Sequence, residues 1–160
     1  MPLFPIQIHV IAVGKLRQSI WQPAAAAYLS RLQNYAEATI WETRDHLGRG
    51  RSEAEALEEE GREIIRRIRP EALVCLLDRN GRSLSSEQFA EFLKRKMDSG
   101  QREYQFIIGG PAGLDPSLGA RAAMQLSLSP MTMPHEMARV VLLEQLYRAF
   151  TILRGEKYHK

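Results

Sequence analysis

Three segments in the last third of this 160-residue chain hold residues whose types and spacing could do chemistry. The first is Ile107-Ile-Gly-Gly-Pro-Ala-Gly-Leu114, where glycines 109, 110 and 113 follow an apolar run that reads as a strand. Glycines there let a ligand approach the backbone and expose its N–H groups, at the strand ends where open α/β sheets bind ligands. No Gly-Lys-Ser/Thr follows, which excludes a Walker loop. The spacing also departs from the Gly-x-Gly-x-x-Gly dinucleotide fingerprint. Taken alone, a tight strand-to-helix turn accounts for these glycines equally well.

The second is Leu128-Ser-Pro-Met-Thr-Met-Pro-His135. Prolines 130 and 134 forbid a regular strand or helix and leave a rigid loop, of the kind that often carries a binding site. Met131 and Met133 suit a pocket for an apolar or sulfonium-bearing ligand, although methionine is more often core filler. The third is a helix expected over 135–154 with its polar tail. Val140 to Leu143, Leu146, Tyr147, Phe150, Ile152 and Leu153 are apolar on nearly every side. Such a helix either crosses the core or packs against a second subunit. Glu144 and Arg148 stand at i,i+4, which a helix salt bridge explains. Arg148 beside Tyr147 and Phe150 also reads as a buried cation in need of an anion. The tail combines Arg154, Lys157 and Lys160 with Tyr158 and His159, the mix that grips phosphates and stacks on bases. A frayed terminus is the plain alternative.

Other chemistries lack their motifs. His9, His46, His135 and His159 are scattered and Cys75 stands alone, so no metal cluster is legible. Neither a nucleophile elbow nor a paired-carboxylate motif occurs. What is left is chemistry by positioning, without a metal.

These segments need elements to hold them. Residues 7–13 are β-branched and apolar and stop at Gly14, a buried strand. Over 19–35, Trp21, Ala24, Ala25, Tyr28, Leu29 and Leu32 recur at helical spacing, and 36–43 form a second strand. The loop 44–51 carries two glycines and three arginines. Ser52 and Glu55 then make a capping box for a helix that is acidic early and basic late, with Pro70 marking the way out. Residues 72–77 are a third strand and 78–82 a turn. Ser85 or Ser86 caps a helix to about Met97, and 104–108 are the fourth strand. A short helix over 118–124 leads to a strand-like 125–129. Strands alternating with helices predict one α/β domain with a mostly parallel sheet flanked by helices.

Composition agrees. With 44% apolar and 26% charged residues the chain matches an ordinary soluble globule rather than a disordered one. A net charge of +3 is compatible with a polyanionic partner without identifying one. Cys75 among apolar neighbours reads as a buried, inert thiol, which fits a reducing cytoplasm. No run approaches the ~18 apolar residues of a membrane span. Met1-Pro-Leu-Phe-Pro5 has neither a charged n-region nor an apolar h-region, so no secretory signal is expected.

Read together, these segments resemble the ribosomal large-subunit methyltransferase H family of the SPOUT superfamily. The resemblance runs from Ile11-Ala-Val-Gly-Lys-Leu16 through Glu60-Gly61 and Leu76-Leu-Asp-x-x-Gly-Arg82. It continues in Ile108-Gly-Gly-x-x-Gly113 and Ser127-Leu-Ser-x-Met-Thr-x-Pro-His135, and closes with Arg139, Glu144-Gln-Leu-Tyr-Arg-Ala149 and Tyr158-His159. It implies a trefoil-knotted α/β fold and a homodimer. It also implies methyl transfer from S-adenosylmethionine to N3 of a pseudouridine in the intersubunit stem-loop of 23S rRNA, on the ribosome. The cofactor is then expected against Leu77, Gly109, Leu128, Ser129, Pro130, Met131, Thr132 and Met133. Relatives differ at position 130, so only a backbone contact is expected there. Arg148, Tyr158 and His159 are expected to bind the target base and help it react. His159 as proton acceptor and Arg148 as electrostatic stabiliser of the ionised imide are both open. The rival readings are a non-enzymatic ribosome-binding or assembly factor with the same fold and, more distantly, a flavodoxin-like nucleotide binder. The second would need a phosphate-cradling loop after the first strand, where only Gly14 stands.

Overall fold

A computed structural model describes residues 1–160. In chain order the elements are β1 (Gln7–Val13), α1 (Trp21–Leu32), β2 (Glu37–Thr43), α2 (Glu53–Ile65), β3 (Leu73–Ser83) and α3 (Ser86–Asp98). There follow β4 (Glu103–Ile108), a 3-10 turn (Pro116–Arg121), β5 (Met124–Ser127) and α4 (His135–Leu153). The five strands form one sheet in the order β2-β1-β4-β3-β5, with every neighbouring pair parallel. Side chains alternate between its faces, as the period of two requires. Ile8, Val10, Cys75 and Phe106 pack beneath α1, α3 and α4, whereas Ile11, Val13, Leu76 and Ile107 meet Ile64 of α2 and Leu118 of the 3-10 turn. Both faces are covered, which is why these strands read as continuous apolar runs. The expected single α/β domain with a parallel sheet flanked by helices is what forms.

Local signals act as their chemistry dictates. Ser52 and Glu55 close a capping box at α2, and Ser85 with Gln88 closes another at α3. Ser85 is the cap rather than Ser86 because Gln88 stands three residues after it and reciprocates. Helix α4 lies between α1 and α3 on one sheet face, with Leu142, Leu143, Leu146, Ala149 and Phe150 buried. Eight of its residues are buried within the one chain, while apolar Val140, Val141 and Tyr147 stay half-buried.

Two expectations are corrected. Residues 78–82 do not end β3 in a simple turn: Leu126 of β5 pairs with both Leu77 and Arg82, and 78–81 bow out of the ladder between them. Gly81 permits the return, since a Cβ there would lie 2.7 Å from the Gln125 backbone carbonyl. The helix expected over 118–124 is instead the 3-10 turn, capped where Asp115 accepts from the Ser117 N–H at 2.8 Å, and Met124 already belongs to β5. A turn that opens on Pro116 and carries Gly119 has too few helix-forming residues to continue.

Candidate active site

Adjacent strands β1 and β4 send the chain to opposite sides, β1 toward β2 and β4 toward β5, and their carboxyl ends therefore open a crevice. On the β4 side, the ends of β3 and β4 and the loop 128–133 frame a cleft of about 620 Å³. That is the size of an ordinary small-molecule site. Leu77, Gly109, Leu128, Ser129, Met131, Thr132 and Met133 line it, and Pro130 lies outside the lining.

The floor is backbone. Gly109 tolerates no side chain, because a Cβ would sit 2.3 Å from the Gly113 carbonyl oxygen. The turn closes where the Gly113 N–H donates to the Gly110 carbonyl at 3.0 Å, with Gly113 at φ +87°. The wall is a mutual brace. Ser127 Oγ donates to the Arg79 carbonyl at 2.9 Å, Arg79 Nη1 donates to Thr132 Oγ1 at 3.0 Å, and Ser129 Oγ accepts from the Met131 N–H at 3.0 Å. The bowed segment 78–81 and the proline loop thus hold one another. Met131 is 78% exposed, so core filling does not explain it.

His135 and Ala138 of α4 close the cleft, and two polar residues beside them fasten the β1 end. Glu136, buried, accepts from the N–H groups of Arg17 and Gln18. Arg139, with a side chain only 2% exposed, reaches Glu42 at 2.7 Å and the Gly14 carbonyl at 3.0 Å, while its Nε has no partner.

Arg148, Tyr158 and His159 gather elsewhere. Glu144 Oε1 accepts from Arg148 Nε and Nη2 at 3.0 and 2.6 Å and from the Tyr158 hydroxyl at 3.0 Å. The guanidinium also lies 4.7 Å over the Tyr158 ring. Burial, aided by Glu144, pushes the Tyr158 hydroxyl up to about 12, so it is a neutral donor. His159 Nδ1 stands 3.2 Å from Arg148 Nη1 and its Nε2 is 2.7 Å from Glu87. A guanidinium only donates, and the Glu87 carboxylate, held below its usual range by His159, accepts. Both contacts are satisfied by the neutral imidazole with its proton on Nε2, and its one basic lone pair is then occupied by Arg148. None of the three residues lines the cleft. Arg148 follows Ala138, the last α4 residue on the cleft, by ten residues, about 15 Å along α4 at 1.5 Å per residue.

Residues 6–159 match the family model described as predicted SPOUT methyltransferase. The chain belongs to that family. A solved structure described as a probable methylase family protein from Haemophilus influenzae Rd KW20 superposes with a TM-score of 0.52 at 16% identity, over 99% of this chain and 71% of that one. The likeness is one of fold. The SpoU methyltransferase AviRb from Streptomyces viridochromogenes, crystallised with AdoMet, matches more distantly, with a TM-score of 0.43 and 11% identity over 92% of this chain and 58% of that one.

In this SPOUT methyltransferase the deepest arginine is Arg139, whereas Arg148, expected to be buried, keeps a quarter of its side chain exposed. The signal for Arg139 was its isolation, a cation on a helix turn with apolar neighbours on both sides. Arg79 carries no such signal, since 78–82 has the composition of a plain turn. His46, Glu59 and Glu63 also come together, their ligand atoms within 4.8 Å of one another, a grouping that spacing in the chain concealed. There His46 Nε2 meets Glu63 at 2.8 Å and Glu59 pairs with Arg62. No helix is long and apolar enough to cross a membrane.

Proposed function

We propose that this chain transfers the methyl group of S-adenosylmethionine to N3 of a pseudouridine in the intersubunit stem-loop of 23S rRNA, on ribosomes in the cytoplasm. It acts as a homodimer in which the tail of one subunit completes the cleft of the other. The reading is carried by the cleft itself, a glycine-floored, proline-braced pocket at the carboxyl edge of a SPOUT methyltransferase sheet. Its fit to the cofactor rests on the tight glycine turn, which Gly109 allows by letting the Gly113 carbonyl close against it, and on the exposed Met131 beside the cleft. The dimer is favoured because Arg148, with Tyr158 and His159 gathered on it, lies about 15 Å along α4 from Ala138 at its own cleft. In a two-fold dimer each tail can approach the partner's pocket, and the two sites are then equivalent.

S-adenosylmethionine supplies a methyl already activated on sulfur, so the S–CH3 bond breaks as the N3–CH3 bond forms and the N3 proton leaves. The chain's task is to hold donor and acceptor in line and to stabilise the imide that loses its proton. Leu77, Leu128 and the glycine turn hold the donor. Arg148 faces the developing charge, its guanidinium set by Glu144. His159 takes the proton only after its Nδ1 leaves Arg148, so the tail must shift when the target base arrives. Two measurements test the reading together: methyl transfer from labelled S-adenosylmethionine to ribosomes, with the modified nucleotide mapped, and mass by light scattering. A monomer, or transfer to no ribosomal RNA, overturns it.

A further inference from the structure

On the other side of the β1–β4 crevice, the loops after β1 and β2 frame a groove of about 460 Å³ that the reaction leaves without a role. Its only apolar lining residue is Leu16; Lys15, Arg17, Arg44 and Arg49 bring four cations to it against two carboxylates, Glu42 and Asp45. All four are exposed, and none forms an ion pair within the chain. The nearby carboxylates are engaged elsewhere. Glu60 accepts from the His46 N–H at 3.0 Å, Glu63 from the Arg44 N–H at 3.2 Å, and Asp45 from the Leu47 N–H at 2.9 Å. Glu136 takes the N–H groups of Arg17 and Gln18, and Glu42 holds Arg139. Both groove carboxylates are thus already engaged, Asp45 by a loop N–H and Glu42 by Arg139, while the four cations stay exposed and unpaired.

The two loops touch, since a Cβ on Gly14 would lie 3.7 Å from Asp45 Cβ. The groove also adjoins the cleft, since a Cβ on Gly110 would lie 3.3 Å from Val13 at the end of β1. From β2 to β3 the edge spans three strand spacings, about 14 Å, the reach of a few nucleotides. We propose that this groove binds the phosphate backbone of the RNA substrate beside the nucleotide placed in the cleft. The proposal rests on the RNA methyltransferase reading above. Phosphate contacts of this kind supply most of the affinity, fix the register of the strand and make binding salt-dependent.

The test is a triple variant, Lys15→Gln with Arg44→Gln and Arg49→Gln, measured with oligouridylate across a salt series. Affinity is expected to fall on the order of ten-fold or more at low salt. The slope of log K against log salt should shrink by about 2, three phosphate contacts at about 0.7 each for single strands. A control variant, Arg62→Gln with Lys94→Gln and Arg95→Gln, removes equal charge from surface ion pairs on α2 and α3 and should bind as the parent does. Calorimetry with S-adenosylmethionine should be unchanged in both, which shows that the fold is intact. Equal losses in both variants, no loss in the first, or no RNA binding by the parent protein would each overturn the groove. A parent protein that binds RNA through these cations yet methylates no ribosome would leave the groove standing and remove the methyl-transfer reading instead.

Discussion

At the carboxyl edge of the sheet the ligand cleft is framed by constrained backbone turns and loops, whereas at the far end of α4 the cluster is held together by side chains. The cleft owes its floor to a glycine turn at Gly109 and Gly113, and its wall to a proline loop braced by Ser127, Arg79 and Thr132. The tail cluster owes its shape to hydrogen bonds that converge on a single oxygen, Glu144 Oε1, with His159 strung between Arg148 and Glu87. Backbone turns and proline loops cost little entropy to keep in place, and they suit a ligand that never varies. Charge-assisted side-chain bonds can be traded for equivalent ones, and they suit a large polyanion that must displace internal partners as it docks. Under the function proposed above, the cleft is the fixed receptor for the methyl donor and the tail an adjustable contact for the acceptor.

The largest effect expected is from Gly109→Ala. Its methyl would meet the Gly113 carbonyl at 2.3 Å, so the turn must move by about an ångström. S-adenosylmethionine binding by calorimetry should disappear and kcat/KM should fall by more than ~100-fold, the scale of a 1 Å misplacement. Retained cofactor affinity would break the comparison on the cleft side. Arg148→Ala comes next, with kcat/KM lower by about 100-fold, as expected for loss of one electrostatic stabiliser. Here cofactor affinity should be unchanged. A parallel loss of cofactor binding would show that the two regions are not separate.

Mixing those two inactive proteins sharpens the comparison further. If the cleft of one subunit works with the tail of the other, a mixed dimer carries one site that is intact in both parts and one that is doubly damaged. Random exchange makes half of the dimers mixed, so activity should return to about a quarter of the parent's. Sites built within single chains would recover nothing. The assay is methyl transfer to ribosomes before and after refolding the two proteins together.

How much of this could be read in the chain follows the same division. Strands β1 and β4 and the first half of β3 were legible because they are buried on both faces and therefore continuously apolar, whereas the edge strands β2 and β5 mix polar residues in. The cleft was legible because glycine and proline constrain the backbone locally, so seven of the eight expected residues come together around one cavity. The Glu144–Arg148 pair was legible at i,i+4, but the partners of His159 and Arg139 were not, because they are remote. Glu87 stands 72 positions from His159, and Glu42 stands 97 positions from Arg139. Nor was the bow at 78–81, whose return depends on Gln125 of a strand that the chain reaches only later. The basic loop 44–51 was visible as composition, but the carboxylates that fasten it lie on α2, where they read as one acidic helix face.

The smallest expected effect, from Tyr158→Phe, probes the adjustable end most finely. The change removes one hydroxyl donor to Glu144 at 3.0 Å and leaves the ring beneath Arg148. One such bond is worth about 1 kcal/mol, so kcat/KM should fall about 5-fold with cofactor affinity unchanged. Because the hydroxyl is pushed up to about 12 in the fold, against ~10 in the unfolded chain, it stays neutral where the unfolded form ionises. Its contribution to stability is therefore complete below pH ~10 and is lost as pH rises from about 10 to about 12. The Phe variant cannot lose what it lacks, so its urea midpoint should decline less steeply over that interval than the parent's. Parallel alkaline declines in the two proteins would mean that the Tyr158 hydroxyl already ionises freely, and that the tail is not held by Glu144 as the rest of the cluster requires.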